Sequence, residues 1–217
     1  MNAIILGATG ATGKDLLELL LHDYEVKQVT IFVRRNIDFI HPKLQVHVID
    51  FDQPLQWQPL VIGDVLFSCL GTTLKAAGSK AAQWKIDYDY QYQFAEAAKQ
   101  NGVASYVLVS SSGASANSFI FYSKLKGQLE EAVKALNFPS LAIFNPPILV
   151  RKNSDRTGEV IGIKVFQFFN KFGMLRSQTP LSTQVLATAM LEMAKKKLPG
   201  TTILDYQKIR AVASAKD

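Results

Sequence analysis

Tyr122 and Lys126 are the pair of side chains best placed to do chemistry. They fall in Phe121-Tyr122-Ser123-Lys124-Leu125-Lys126. A spacing of four puts both on one helix face, one turn apart, with Cβ atoms roughly 5–6 Å from each other. A phenol ordinarily ionises near pH ~10, too high for proton exchange at neutral pH. A nearby ammonium favours phenolate and brings that value down. Tyr122 would then give a proton to, or take one from, an alcohol or carbonyl oxygen. Just upstream runs Val109-Ser110-Ser111-Ser112-Gly113, where a hydroxyl can bond the same oxygen; Ser112 is the first choice and Ser111 the second. The competing reading is a surface helix whose tyrosine packs and whose lysine is solvated. Tyr88 and Tyr92, a similar pair upstream, read as packing or interface.

A second cluster lies at the N-terminus. Ile4-Ile5-Leu6-Gly7-Ala8-Thr9-Gly10-Ala11-Thr12-Gly13-Lys14 takes a short apolar strand into three glycines spaced three apart, with a helix pattern directly behind. Gly7 permits a tight turn, Gly10 lets a pyrophosphate approach the backbone, and Gly13 lets the helix pack closely on the strand. The helix N-terminus adds free N–H groups and partial positive charge. Gly7, Thr9, Gly10, Ala11, Thr12 and Gly13 are therefore the candidate phosphate cradle. The spacing is G-x-x-G-x-x-G, not the usual G-x-G-x-x-G, so the strand–loop–helix context carries the reading.

The ligand such a cradle suits is a nicotinamide dinucleotide. Preference for NAD(H) normally comes with an acid at the end of the second strand, bonded to the ribose 2′-hydroxyl. Here that end reads Phe32-Val33-Arg34-Arg35, and arginine suits a 2′-phosphate. The expectation is NADP(H) ahead of NAD(H), through Arg34 first and Arg35 second, unless both point to solvent. Asp52, in Asp50-Phe51-Asp52, receives the adenine amino group or is an ordinary loop acid. Leu70, Gly71 and Thr72, after the fourth strand, would line the cofactor crevice, and Cys69 reads as a buried strand residue.

These residues need a scaffold. Apolar patterning predicts strands over 3–6, 29–33, 46–49, 65–70, 106–110 and 141–144. Helices are predicted over 14–21, 84–100 and 121–136, the second stopped by Asn101-Gly102. The link between the second and third strands shows no full-length helix. Strands rich in Val, Ile and Leu alternating with helices imply an α/β fold, a Rossmann-type doubly wound parallel sheet with helices on both faces. Beyond Asn145-Pro146-Pro147 the pattern loosens: a loop over 151–159, a phenylalanine-rich helix over 161–172, a helix over 183–196 and a short terminal strand over 202–204. The expected organisation is one domain over 1–217, in which 145–217 forms a small C-terminal substrate-side lobe.

Composition narrows the partners. With 48% apolar residues in 217, the chain can bury a core without staples. The net charge of +6 reads as a solvated basic surface or as attraction for an anionic ligand. The lysines are scattered apart from Lys195-Lys196-Lys197 at a helix end, which argues against nucleic acid. No run approaches the ~20 apolar residues of a membrane helix, and the start lacks the signal-peptide pattern. A single cysteine makes no internal disulfide, so a reducing, cytoplasmic setting is expected.

Taken in order, Gly7 to Gly13, Val33-Arg34-Arg35, Asp50-Phe51-Asp52, Leu70-Gly71-Thr72-Thr73, Val109 to Ala114, and Tyr122 with Lys126 resemble the short-chain dehydrogenase/reductase superfamily. The likeness spans nearly the whole chain and is strongest to the atypical branch around the Tat-interacting oxidoreductase. It implies an oxidoreductase passing hydride between nicotinamide and a small carbonyl or alcohol, with Ser112, Tyr122 and Lys126 as the catalytic set. It also implies that Lys126 reaches the nicotinamide ribose and that Pro147 caps the nicotinamide pocket. Relatives often carry Arg-Pro after the sixth strand, where this chain has Asn145-Pro146. The branch includes poor catalysts, so an NADP(H)-sensing regulatory protein is the alternative. A nucleotide-sugar epimerase, using the same pair, ranks below because the C-terminal region leaves little room for a sugar nucleotide. A monomer or homodimer is expected.

Overall fold

The computed structural model describes residues 1–150 and 179–215. Its strands are β1 (Asn2–Leu6), β2 (Gln28–Val33), β3 (Leu44–Val48), β4 (Val65–Ser68), β5 (Ser105–Val109), β6 (Ser140–Phe144), β7 (Leu149–Val150), β8 (Leu181–Ser182) and β9 (Gly200–Leu204). Seven of them form one sheet in the order β3-β2-β1-β4-β5-β6-β9, while β7 and β8 pair separately. Every pairing is parallel. The main helices are α1 (Ala11–His22), α2 (Pro54–Trp57), α3 (Leu74–Ala77), α4 (Lys80–Trp84), α5 (Tyr90–Gln100), α6 (Phe121–Ala135), α7 (Thr183–Lys196) and α8 (Tyr206–Ser214).

Two cores result because the central strands are apolar on both faces. On β1, Ala3 and Ile5 face a core shared with Leu16 and Leu20 of α1 and Leu186 and Met190 of α7. Ile4 and Leu6 face the other, with Phe94 of α5 and Leu129 and Val133 of α6. The parallel strands all end on one side, and the chain reverses its direction of sheet growth between β1 and β4. In open α/β sheets the crevice at such a switch point is where ligands bind.

The structure departs from the sequence pattern in three places. The single helix expected over 84–100 is interrupted by a π-helical turn, Lys85–Asp89, so that α4 and α5 are separate. Turns of this kind occur mostly at functional sites. The short strand expected at 202–204 is β9, the seventh strand of the main sheet along β6, and α8 follows it. Within the region expected as a lobe, α7, β9 and α8 thus build onto the principal layers; the loop expected over 151–159 and the helix over 161–172 lie outside the described residues. The link from β2 to β3 holds no helix, as expected.

Phe94 closes the second core. It stacks on Trp57 with centroids 4.0 Å apart and meets Phe32 edge-on at 5.0 Å. Phe94→Ala is expected to lower unfolding free energy by about 3–5 kcal/mol, seen as a lower urea midpoint with unchanged slope. A loss under about 1 kcal/mol would contradict this packing.

Candidate active site

The glycine loop is built by close approach. Gly7 has φ +85°, and a Cβ there would sit 2.6 Å from the Leu70 amide nitrogen and 2.7 Å from the Cys69 carbonyl carbon. A Cβ on Gly13 would lie 2.2 Å from the Gly7 carbonyl oxygen. These two glycines therefore lock β1, α1 and the exit of β4 together. Gly10 caps α1 with extended backbone and no side-chain bond to the first turn, and that turn carries no acid. Thr9 and Gly10 are exposed, Ala11 is half-buried and Thr12 is buried, so the first amides of α1 open onto the crevice from a packed base. Such an end favours an anion.

On the other side of the switch point, α6 brings Tyr122 and Lys126 to the C-terminal ends of β4 and β5. Lys126 is 3% exposed, and its Nζ donates to the Val109 carbonyl at 3.3 Å. Burial pushes its ammonium towards the neutral form; Asp87, then Glu130 and Cys69, oppose that. Tyr122 is partly buried in the first turn of α6. Its phenol is pushed up from the ordinary value, first by burial and then by the negative Asp87, with a hydrogen bond from Ser111 pulling the other way. The lowering expected from the four-residue spacing does not appear: burial first, and the Asp87 carboxylate second, push the phenol the other way.

The two serines separate. Ser111 is the hydroxyl that bears on Tyr122, and its Oγ is buried without a normal-length hydrogen-bond partner among the described residues. The Ser112 amide instead donates to the Pro146 carbonyl at 2.9 Å. That bond packs the buried Pro147 link against the serine turn. Ser111, the second choice from sequence, is thus the serine whose hydroxyl bears on Tyr122, while the Ser112 bond is a main-chain one. Cys69, expected as a buried strand residue, is half-buried one position past β4, and burial pushes its thiol up to about 12.

One residue of this cluster escaped the sequence reading. Asp87, in the π turn, is fully buried. Its Oδ1 accepts the Thr72 amide at 2.7 Å, and its Oδ2 accepts the Gln83 side-chain amide at 3.3 Å. Burial raises its carboxyl above the usual range, against Lys126, Thr72 and Gln83. The available signal was an acid inside a helix face otherwise filled by core residues. Glu130, one turn beyond Lys126, accepts from Ser110 at 2.5 Å and from Asn145 at 3.1 Å. Asn145, where relatives were expected to carry arginine, is thus a neutral partner to a buried carboxylate.

The remaining candidates lie towards the other end of the crevice. Arg34 and Arg35 are exposed immediately after β2. Asp52 pairs with Lys85 at 2.7 Å and accepts from the Tyr90 hydroxyl at 2.7 Å, so it already has two donors. These bonds hold its carboxyl below the usual range. Beside it opens a groove of about 590 Å³ walled by Phe51, Trp84, Lys85 and Tyr90. Leu70, Gly71 and Thr72 form the turn between the glycine loop and Asp87, with Asp87 Oδ1 3.9 Å from where a Gly71 Cβ would stand.

Comparison with known proteins agrees with this geometry. The family described as NAD(P)H-binding matches residues 7–138. Protein FMP52, mitochondrial, of Candida albicans is 31% identical over 207 residues, covering 92% of this chain and 90% of that protein. Protein HTATIP2 of Rattus norvegicus is 36% identical over 170 residues, covering 76% of this chain and 70% of that protein. The solved UDP-glucose 4-epimerase of Thermotoga maritima superposes with a TM-score of 0.72 at 12% identity, over 94% of this chain and 76% of its own. That likeness is one of fold. The FMP52 relatives correct the expected cytoplasmic location, since they are named as mitochondrial proteins; a single cysteine specifies no compartment. No helix among the described residues is long and apolar enough to cross a membrane.

Two glycine variants separate binding from folding. Gly13→Ala meets backbone and is expected to destabilise by about 1–3 kcal/mol. Gly10→Ala places its Cβ 3.3 Å from the Gly7 carbonyl oxygen, which a small shift relieves, but it fills the approach to the amides. It should melt near wild type while binding NADPH about tenfold more weakly. Wild-type affinity in Gly10→Ala would contradict the cradle.

Proposed function

The chain belongs to the NAD(P)H-binding family, and from that premise we propose that it is an NADP(H)-dependent oxidoreductase of the short-chain dehydrogenase/reductase type, acting on a small carbonyl or alcohol. When bound, the dinucleotide supplies or accepts the hydride. The residues fit it in two observed respects: a glycine cradle that side chains would fill, and a buried Ser111 hydroxyl that bears on the Tyr122 phenol. The amides from Gly10 to Gly13 hold the diphosphate. Arg34, with Arg35 second, faces the 2′-phosphate. The groove beside Phe51 and Asp52 takes the adenine end, while Leu70, Gly71, Thr72 and Pro147 border the nicotinamide half.

Tyr122 holds the proton exchanged with the substrate oxygen. Ser111, with Ser112 in the same turn, bonds that oxygen, and Lys126 binds the ribose and supplies positive charge beside the phenol. What supports the reading most is that Ser111 bears on the Tyr122 phenol while Lys126, one turn along the same helix, is buried against the Val109 carbonyl, with Asp87 acting on both Tyr122 and Lys126. Burial and Asp87 keep the phenol protonated, the state that donates to a carbonyl, while making it a weaker acid, so turnover needs the bound cofactor and Lys126 to bring its pKa back down.

That same upward shift of Tyr122 favours a second reading, an NADP(H)-sensing regulator with little turnover. NADPH oxidation against a panel of aldehydes, ketones and quinones distinguishes the two. Tyr122→Phe should lose at least about 100-fold in turnover with cofactor affinity unchanged. Tight binding with no turnover in either protein would favour the regulator. The epimerase reading, supported by fold alone, predicts interconversion of a nucleotide sugar without net change in NADPH.

Arg34→Ala tests the cofactor preference. A charge-assisted bond of about 1.5–3 kcal/mol implies at least about tenfold weaker NADPH binding and NADH within about twofold. Equal weakening of both would remove Arg34 as the phosphate ligand.

A further inference from the structure

Asp87 is a buried carboxylate that the hydride chemistry above does not use, and its surroundings are unusual for a structural acid. It belongs to the π turn Lys85–Asp89, the only such turn among the described residues. It is fully buried, beside the buried Gln83 and Gln91. Its oxygens reach in two directions. Oδ1 accepts the Thr72 amide at 2.7 Å, the first residue past Gly71 in the turn bordering the crevice. The other direction is electrostatic: its charge bears on both Lys126 and Tyr122.

The acid is itself held from behind. Gln91 donates to the Asp87 main-chain oxygen at 2.7 Å and receives the Ser68 hydroxyl at 2.8 Å on its own side-chain oxygen. Gln83 spans from Asp87 to the Thr72 carbonyl at 3.2 Å. The turn after β4, the π turn and α6 are therefore joined through one carboxylate. Burying an acid this completely is costly unless it is bonded and paired.

We propose that Asp87 is a positioning residue of the dinucleotide site, holding the Gly71–Thr72 turn in its binding shape and keeping Lys126 as an ammonium for the ribose. The proposal rests on the reading of Lys126 as a cofactor ligand. The charged and titratable groups that bear on Lys126 are Asp87 from the π turn, Glu130 from α6 and Cys69 just past β4, with Tyr122 one turn before it on α6. With Asp87 neutralised, Glu130 remains as the facing carboxylate, shared with Ser110, Asn145 and Lys134, the last at 3.9 Å. The buried amine then loses its proton at a lower pH than in wild type, because the charge favouring its protonated form is gone.

The test uses the full chain, NADPH as the probe, and affinity against pH between 6.5 and 9.5 on a roughly unit-spaced scale set by ordinary lysine perturbation. Asp87→Ala removes both the Thr72 acceptor and the charge, and should bind NADPH about tenfold more weakly at neutral pH. Asp87→Asn keeps an acceptor oxygen for Thr72. It should bind within about threefold of wild type at the low end and fall off at lower pH than wild type does. Should Asp87→Ala fail to fold, the Asp87→Asn profile decides alone. Asp87→Asn matching wild type across the whole range would overturn the proposal while leaving the dinucleotide site intact. Wild-type protein showing no saturable NADPH binding removes the site reading and the proposal with it. Saturable wild-type binding that is unaffected by Lys126→Met removes the premise on Lys126 alone.

Discussion

The constraint on which the site depends is the contact of three backbones where β1 ends. Gly7 and Gly13 leave no room for a Cβ against the Cys69–Leu70 peptide and the Gly7 carbonyl. That contact sets how α1 leaves the sheet, and so where its free amides point. It also fixes the exit of β4, from which the Leu70–Thr72 turn continues to Asp87. A larger side chain at either glycine would separate the phosphate cradle from the wall that faces it.

From that junction the site continues as buried charge. Asp87, Lys126 and Glu130 are each under 7% exposed, and Lys134 reaches Glu130 from the half-exposed end of α6. Isolated, any of the three buried groups would be costly in an apolar interior; set in alternation with hydrogen bonds from Thr72, Gln83, Ser110 and Asn145, they hold one another. The four-residue spacing of Tyr122 and Lys126 misjudges the phenol because it sees neither the burial of Tyr122, the first cause of its upward shift, nor Asp87, the second. Lys126 has its own carboxylate neighbours in Asp87 and Glu130.

Much of this was legible in the sequence because it depends on local geometry or on repeating pattern. Three glycines behind an apolar strand specify a turn and a close helix, and the alternation of apolar runs with amphipathic ones specifies the layered sheet. What escaped depends on contacts across the chain. Asp87 looked like a polar residue within one long helix, because a π turn changes the facing of a side chain without any change of composition. Gly200–Leu204 has no signal of its own for joining β6, and its partner lies some 60 residues upstream in the register that pairs Ser140 with Gly200. Ser111 and Ser112 differ by one position at a strand exit, and that the Ser111 hydroxyl bears on Tyr122 is decided by packing that composition does not show. Cellular compartment is not written in a single cysteine at all.

The central claim is that one crevice presents the α1 amides at one end and Ser111, Tyr122 and Lys126 at the other. A crystal structure of the chain with NADP⁺ tests it directly. The account predicts the diphosphate on the amides following Gly10 and the nicotinamide ring beside Ser111 and Tyr122, with Lys126 on its ribose. A dinucleotide seated away from the glycine loop, or bound there with its nicotinamide turned out of reach of Tyr122, would contradict it.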